Sequence, residues 1–321
     1  MRIHELMRAP ASQHNVAWLK ASLQTAIELE LSTLPPYLTA MWSIVDPEDP
    51  VYQLIRSIVF EEMLHFGLAC NLLTTIGGTP QIASLETVPK YPGPLPGGVH
   101  PGLIVPLVGL TPRLVYEVFM EIEYPESHPI ALRGRFIDPT IGAFYTAIDC
   151  AFKANGGAIQ GTRQLTGWEP VPVTPINDLA DAHRAIKKIQ DQGEGTGKSP
   201  LASPDELAHY YKFAEIYYGN KLVRYKKHWK YDGDPIPFPK VYPVAQVPAE
   251  GYPDCKKAVA FDAKYTEMLE LLQRAWTNGD DQSLRAAIEA MSPLGGLAVE
   301  LMQTPLKSGG YNYGPAFRFL C

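Results

Sequence analysis

The segment 51–76 constrains the fold most. Apolar side chains recur there in steps of three and four, through Ile55, Ile58, Ala69, Leu72 and Ile76. That spacing marks a helix packed against a core. Glu62 and His65 fall on the same stripe. A buried carboxylate without a partner is costly, so a Glu and a His on a core face must pair with each other or with a cation. One E-x-x-H arises often by chance, and a lone buried His is more often a satisfied core residue than a ligand.

The spacing recurs in Glu206 and His209, aligned with Ala202, Phe213 and Ile216 in a segment that reads as a helix over 203–229. A first helix over 14–44 carries Glu30 at a core position between Ile27 and Leu34, with Tyr37 two turns on. A third helix over 112–124 offers Glu117, Glu121 and Glu123 just before Pro125; helical phase does not choose among them. Two E-x-x-H pairs, inward acids on two other helices and a long crossover between the second and third match a bundle that holds two carboxylate-bridged metals. Four buried acids would repel each other and protonate, whereas two divalent ions supply the charge that keeps them ionised.

The rest of the chain reads as helical, with further segments at 139–154, 177–192, 254–277 and 280–304 and no alternating run that suggests a sheet. Prolines are frequent, 30 in 321 residues, and concentrate in two segments, 79–112 and 231–253, expected to drape over the helices and roof the site. Pro35-Pro36 should kink or end the first helix and release carbonyls one turn back. Residues 1–230 are expected to form the metal-binding bundle and 231–321 a wrap with closing helices packed on it.

The formal charge of −6 leaves no basic excess for a nucleic-acid backbone. Residues 192–200 (QGEGTGKSP) lack the spacing of a nucleotide loop, so no nucleotide-binding residues are expected. No long apolar run or secretory signal is visible, and no membrane association is expected. Cys70, Cys150, Cys255 and Cys321 show no metal or redox spacing; Cys70 and Cys150 read as small core hydrophobes in a disulfide-free cytoplasmic protein. The basic stretch from Lys221 to Lys230 reads as a solvated helix face, and Arg133 and Arg135 as candidates for a substrate carboxylate. Tyr37, Tyr210 and Tyr211 lie close to the candidate ligands, where ordinary packing competes with a role in orienting a carboxylate or relaying a proton or electron.

The segments AIELELSTLPPYLTAMWSI (26–44), EEMLHFGLACNLLTTIGGTP (61–80), FMEIEYPE (119–126) and DELAHYYKFAEI (205–216) resemble the iminophenyl-pyruvate dimer synthase family. That family is related to the amino-terminal part of enzymes that couple tryptophan-derived imines in violacein-type pathways. QGEG (192–195) and GPAFRF (314–319) extend the resemblance over most of the chain. It implies an all-α, ferritin-like four-helix bundle with long Pro-rich connections and additional C-terminal helices. The ligands it implies are Glu30, Glu62, His65, Glu123 and His209, with Glu206 or Glu194 as the carboxylate partner of His209. Glu117 and Glu121 stand as alternatives to Glu123, and Tyr37 and Tyr210 as neighbours that orient or relay. Ala143, in TIGAFY, stands where a polar or acidic residue would be expected, so a single metal is an alternative to two.

The expected activity is a non-haem dimetal oxidation of a small, amino-acid-derived substrate in specialised metabolism. Two iron ions are expected, with manganese as an alternative, and O₂ as co-substrate. A homo-oligomer is compatible with the sequence, which does not identify an electron donor. Ferritin-type iron oxidation and storage, and a metal-free helical scaffold, are the competing readings.

Overall fold

The computed structural model describes residues 3–125, 140–167, 170–196, 199–226 and 228–320. Arg133 and Arg135 lie outside the described residues. A short helix α1 (Ile3–Arg8) precedes two long ones, α2 (Val16–Trp42) and α3 (Pro50–Thr75), which pack along each other. Asn15 caps α2 by accepting from the Trp18 amide at 3.1 Å, and Asp49 caps α3 with Pro50 at its first position. Every residue from Leu29 to Tyr37 is buried, so α2 is central and its polar residues there need partners.

Pro35 and Pro36 do not end α2, which runs on to Trp42. Proline at 36 withholds the amide that would bond the Ser32 carbonyl. Tyr91, from the Pro-rich crossover, donates its hydroxyl to that carbonyl at 2.7 Å. A distant side chain thus replaces one of the two donors that the prolines withhold.

The third bundle helix is short and irregular. α4 (Pro112–Leu114) runs through a π-helical turn at Val115–Phe119 into α5 (Met120–Ile122). α6 (Ile141–Ala154) and α7 (Leu179–Glu194) pack together, α6 against α2 and α7 against α3.

The expected helix over 203–229 is replaced by a hairpin, a ten-residue helix and a second hairpin. β1 (Leu201–Ser203) pairs antiparallel with β2 (Glu206–Leu207), then comes α8 (His209–Tyr218), then β3 (Asn220–Tyr225) against β4 (His228–Pro235). Ser-Pro-Asp-Glu at 203–206 satisfies the rule for a helix start and equally the rule for a β-turn with proline second; here it makes the turn. Gly219 ends α8 in the left-handed region at φ +71°, which frees the chain to reverse into β3. The fold is mostly helical, and the two hairpins mean that all-α holds only approximately. The basic stretch lies on the exposed second hairpin, not on a helix, and its Lys221 pairs with the buried Glu215.

α9 (Lys256–Asn278), α10 (Asp281–Met291) and α11 (Leu294–Met302) cover the other side of α2 and α3. The expected single helix over 280–304 divides at Pro293, which lacks an amide to donate and clashes with the preceding turn. The 231–253 segment adds backbone bonds to the end of α2: Val45 donates to Lys240 and Tyr242 to Ser43. Cys70 is buried as expected, whereas Cys150 is exposed; both, with Cys255, are free thiols. No helix among the described residues is long and apolar enough to cross a membrane.

Candidate metal centre

Glu30 from α2, Glu62 and His65 from α3, Glu123 at the end of α5 and His209 at the start of α8 meet in the interior, all buried. They form two overlapping triads, Glu30–Glu62–His65 and Glu62–Glu123–His209. Within each triad the potential ligand atoms lie within 4.8 Å of one another. Glu62 belongs to both.

Each carboxylate has one oxygen held from outside. Tyr145 Oη donates to Glu30 Oε1 at 2.5 Å, Thr33 Oγ1 to Glu62 Oε2 at 2.5 Å, and Tyr37 Oη to Glu123 Oε1 at 2.6 Å. The opposite oxygens face imidazole nitrogens. His65 Nδ1 is 3.7 Å from Glu30 Oε2 and 3.5 Å from Glu62 Oε1, and His209 Nδ1 is 2.9 Å from Glu62 Oε1 and 3.5 Å from Glu123 Oε2. The outer ring nitrogens are also anchored: His65 Nε2 lies 3.0 Å from the amide oxygen of Gln192, and His209 Nε2 lies 2.6 Å from Glu61. Both anchors are acceptors, which assigns the proton to Nε2 and turns each Nδ1 inward as a lone pair.

His209 Nδ1 is buried and makes no hydrogen bond among the described residues, despite its closeness to Glu62. A lone pair facing carboxylate oxygens is repulsive unless a proton or a cation lies between them. Three carboxylate oxygens and two imidazole nitrogens form a mixed O/N donor set suited to iron or manganese. The residues present therefore fit a pair of divalent ions: Glu30, Glu62 and His65 for one, Glu62, Glu123 and His209 for the other.

Without metal, the electrostatics of the centre are dominated by burial and by these close contacts. Burial disfavours imidazolium, yet the Glu30 and Glu62 carboxylates push His65 up to about 9. His209 is likewise driven well above the usual histidine range, by Glu123, Glu61 and Glu62 against the effect of burial. Burial would raise Glu62, but the two imidazoles hold it well below the usual carboxylate range. Glu30 is raised by burial, with the charge of Glu62 adding to it. Protons on the imidazoles thus balance the metal-free centre, and bound cations would take their place.

Glu206 does not join this set. It sits in β2 rather than one turn before His209, and Lys212 Nζ donates to it at 3.1 Å. Glu61 stands beside His209 in its place, and Lys212 bonds both of its oxygens at 2.8 and 2.9 Å. Sequence reasoning missed Glu61, Gln192, Thr33 and Tyr145. A second acid adjacent to Glu62 and a Tyr on the apolar face of α6 were the available signals. Glu117 pairs with Arg113 at the surface and Glu121 is exposed, so of the three helical acids only Glu123 turns inward. The π-turn shifts the register between them, which is why an α-helical period could not choose. The Glu194 side chain lies outside the described residues. Tyr210 packs edge-on against Tyr124 and Tyr211 and does not line the centre, and Ala143 is half-buried away from it.

A cavity of about 50 Å³ adjoins the triads. Its walls are aliphatic at Leu29, Leu95, Ile122, Ile141 and Ile189, with His100, Tyr124 and Gln190 as polar members. Leu95 and His100 come from the Pro-rich crossover, whereas no described residue of 231–253 lines the cavity. His100 holds φ +47° in a loop where Gly97, Gly98 and Gly102 also take positive φ, so the bend that carries it inward is written into the glycines around it.

No curated protein matches the chain. A ferritin-like protein from Caulobacter vibrioides, solved as a crystal structure, is 25% identical with a TM-score of 0.66, over 94% of this chain and 97% of that one. The ferritin-like family matches residues 23–218. With the match covering more than half of its length, the chain belongs to the ferritin-like family.

Proposed function

We propose that this protein is a non-haem dimetal oxidase or oxygenase that uses O₂ to oxidise a small organic molecule, with two iron ions as the metals. The observation that carries this reading is the pair of buried triads sharing Glu62 beside a cavity with aliphatic walls. Iron held by these residues would supply electrons to O₂. Thr33, Tyr37 and Tyr145 orient the three carboxylates by binding their outer oxygens, and Gln192 and Glu61 fix the two imidazoles. Leu95 and His100 line the cavity from the crossover side.

Three carboxylates oppose the four positive charges of two divalent ions, which leaves room for one anionic ligand, either hydroxide or a carboxylate of the substrate. An amino-acid-derived substrate, as the resemblance to the imine-coupling dimer synthases implies, would supply that carboxylate. A walled cavity beside the metals favours an organic substrate over iron storage, which needs no such pocket.

Elemental analysis of protein prepared with iron, followed by anaerobic ferrous titration and exposure to O₂, tests the reading. Two irons per chain and an optical change on oxygenation are expected. Glu62→Ala should lose both ions and Glu30→Ala only one. Absence of stoichiometric metal, with Glu62→Ala and His65→Ala indistinguishable from wild type, would overturn it.

A further inference from the structure

A second cavity, of about 90 Å³, lies on the other face of the α2–α3 pair. The division follows helical geometry. On α2, Glu30, Thr33 and Tyr37 face the metal centre while Leu31, Leu34 and Leu38 line this cavity; on α3, Glu62 and His65 face one way and Met63 and Phe66 the other. The opposite wall comes from α9, from the α10–α11 region and from Phe317 of the C-terminal tail.

The lining holds no charged side chain, so a charged occupant would be desolvated without compensation. Trp42, Trp276, Phe66 and Phe317 give it rigid aromatic walls. Three of the chain's eight methionines, Met63, Met268 and Met291, line it as well. Leu38, Met63 and Met291 are its half-buried members and form the rim. Unbranched methionine side chains yield to an incoming molecule more readily than branched ones, so this rim can open. Trp276 Nε1 of the lining donates to Asn71, whereas the Tyr265 hydroxyl is buried and has no hydrogen-bond partner among the described residues. Buried hydroxyls are normally satisfied, and an unsatisfied one marks a place where a partner is missing.

We propose that this cavity binds a neutral, single-ring molecule carrying one hydrogen-bond acceptor, with the ring between the aromatic walls and the acceptor on the Tyr265 hydroxyl. The cavity is smaller than the apolar cavity of about 150 Å³ known to take benzene, so it admits no more than one ring, and that only as the methionine rim yields. The proposal is independent of the metal centre.

The probes are acetophenone, which has a ring and one carbonyl acceptor, and ethylbenzene, which has a similar shape and no acceptor. Titration of the full-length protein, followed by the fluorescence of Trp42 and Trp276, should show one site per chain and affinity for acetophenone about tenfold above that for ethylbenzene. Tyr265→Phe should remove that preference while leaving ethylbenzene binding in place. Leu38→Trp and, separately, Met291→Trp should block both probes in protein whose circular dichroism is unchanged. The proposal is overturned if neither probe binds below millimolar concentration, if both rim variants bind like wild type, or if the preference survives in Tyr265→Phe.

Discussion

Glu61 and Lys212 decide what His209 can do. The Glu61 carboxylate accepts the Nε2 proton of His209, and the buried Lys212 ammonium balances it through two short contacts. Burial would raise Glu61, but His209 first, then Glu206 and Lys212, hold it well below the usual carboxylate range, so it remains an anion in the interior. Such an outer partner keeps the inner nitrogen free for metal, and its loss weakens metal affinity by roughly 10–100-fold. Glu61→Gln should therefore lower metal affinity by about that factor, measured by competition with a chelator; unchanged affinity would show that Glu61 does not set the imidazole. Lys212→Met strands the carboxylate beside a single imidazole and should destabilise the metal-free protein by about 3 kcal/mol in chemical denaturation. Neither residue stood out in the sequence as Glu62 and His65 did. Glu61 sits one position off the apolar stripe, and the i, i+3 rule pointed to Glu206. Glu206 does meet this network, but through Lys212 at its outer end. The rule failed because it presumes an unbroken helix between the two residues.

At the scale of elements, what was legible depended on whether local signals competed. α3 stands close to its expected bounds because periodicity, the Asp49 cap and Pro50 at the helix start agree. At 203–206 the same four residues encode two structures, and the choice rests on tertiary context: the Ala208 amide donates to the Pro200 carbonyl, which supports the hairpin. Pro35-Pro36 shows the reverse case, a strong local breaker overruled by distant contacts. Tyr91 supplies the donor that Pro36 cannot, and the two lie on segments joined only by the fold. A double-mutant cycle isolates that exchange. Tyr91→Phe should cost about 1–3 kcal/mol in wild type, the penalty for a buried acceptor left unsatisfied. In a Pro36→Ala background the restored amide can bond Ser32, and the same change should cost less than about 0.5 kcal/mol. Equal costs in both backgrounds, read from urea denaturation, would show that Tyr91 does not compensate for the proline.

On the scale of the whole molecule, the C-terminal region is held to the bundle by contacts that no local pattern announces. Phe317 is buried against Trp42 of α2 and against Phe261 and Tyr265 of α9, and it holds φ +53°. The tail is stitched to α9 by two backbone amides, Arg318 donating to Asp262 at 3.2 Å and Leu320 to Thr266 at 2.9 Å. Asp262 is therefore an acid buried at the joint between tail and helix, with little to stabilise its charge. Burial raises it to about 6 against an ordinary 3.8, only partly offset by the backbone and charge of Arg318. A folded-state value above the unfolded one means that the folded protein binds the proton more tightly between the two. The contribution to stability is therefore full below about pH 3.8 and is lost as pH rises through about 6. Above that pH the buried carboxylate works against folding by about 3 kcal/mol at most, at 1.36 kcal/mol per unit of displacement. Asp262→Asn keeps an oxygen for the Arg318 amide and removes the charge. It should match wild type near pH 4 and exceed it by about 1–3 kcal/mol at pH 8. Denaturation of both proteins across that range checks the sign, because every other titrating group is common to the two. A variant less stable than wild type at pH 8 would show that the carboxylate is satisfied as an anion, and that the tail is held by its charge.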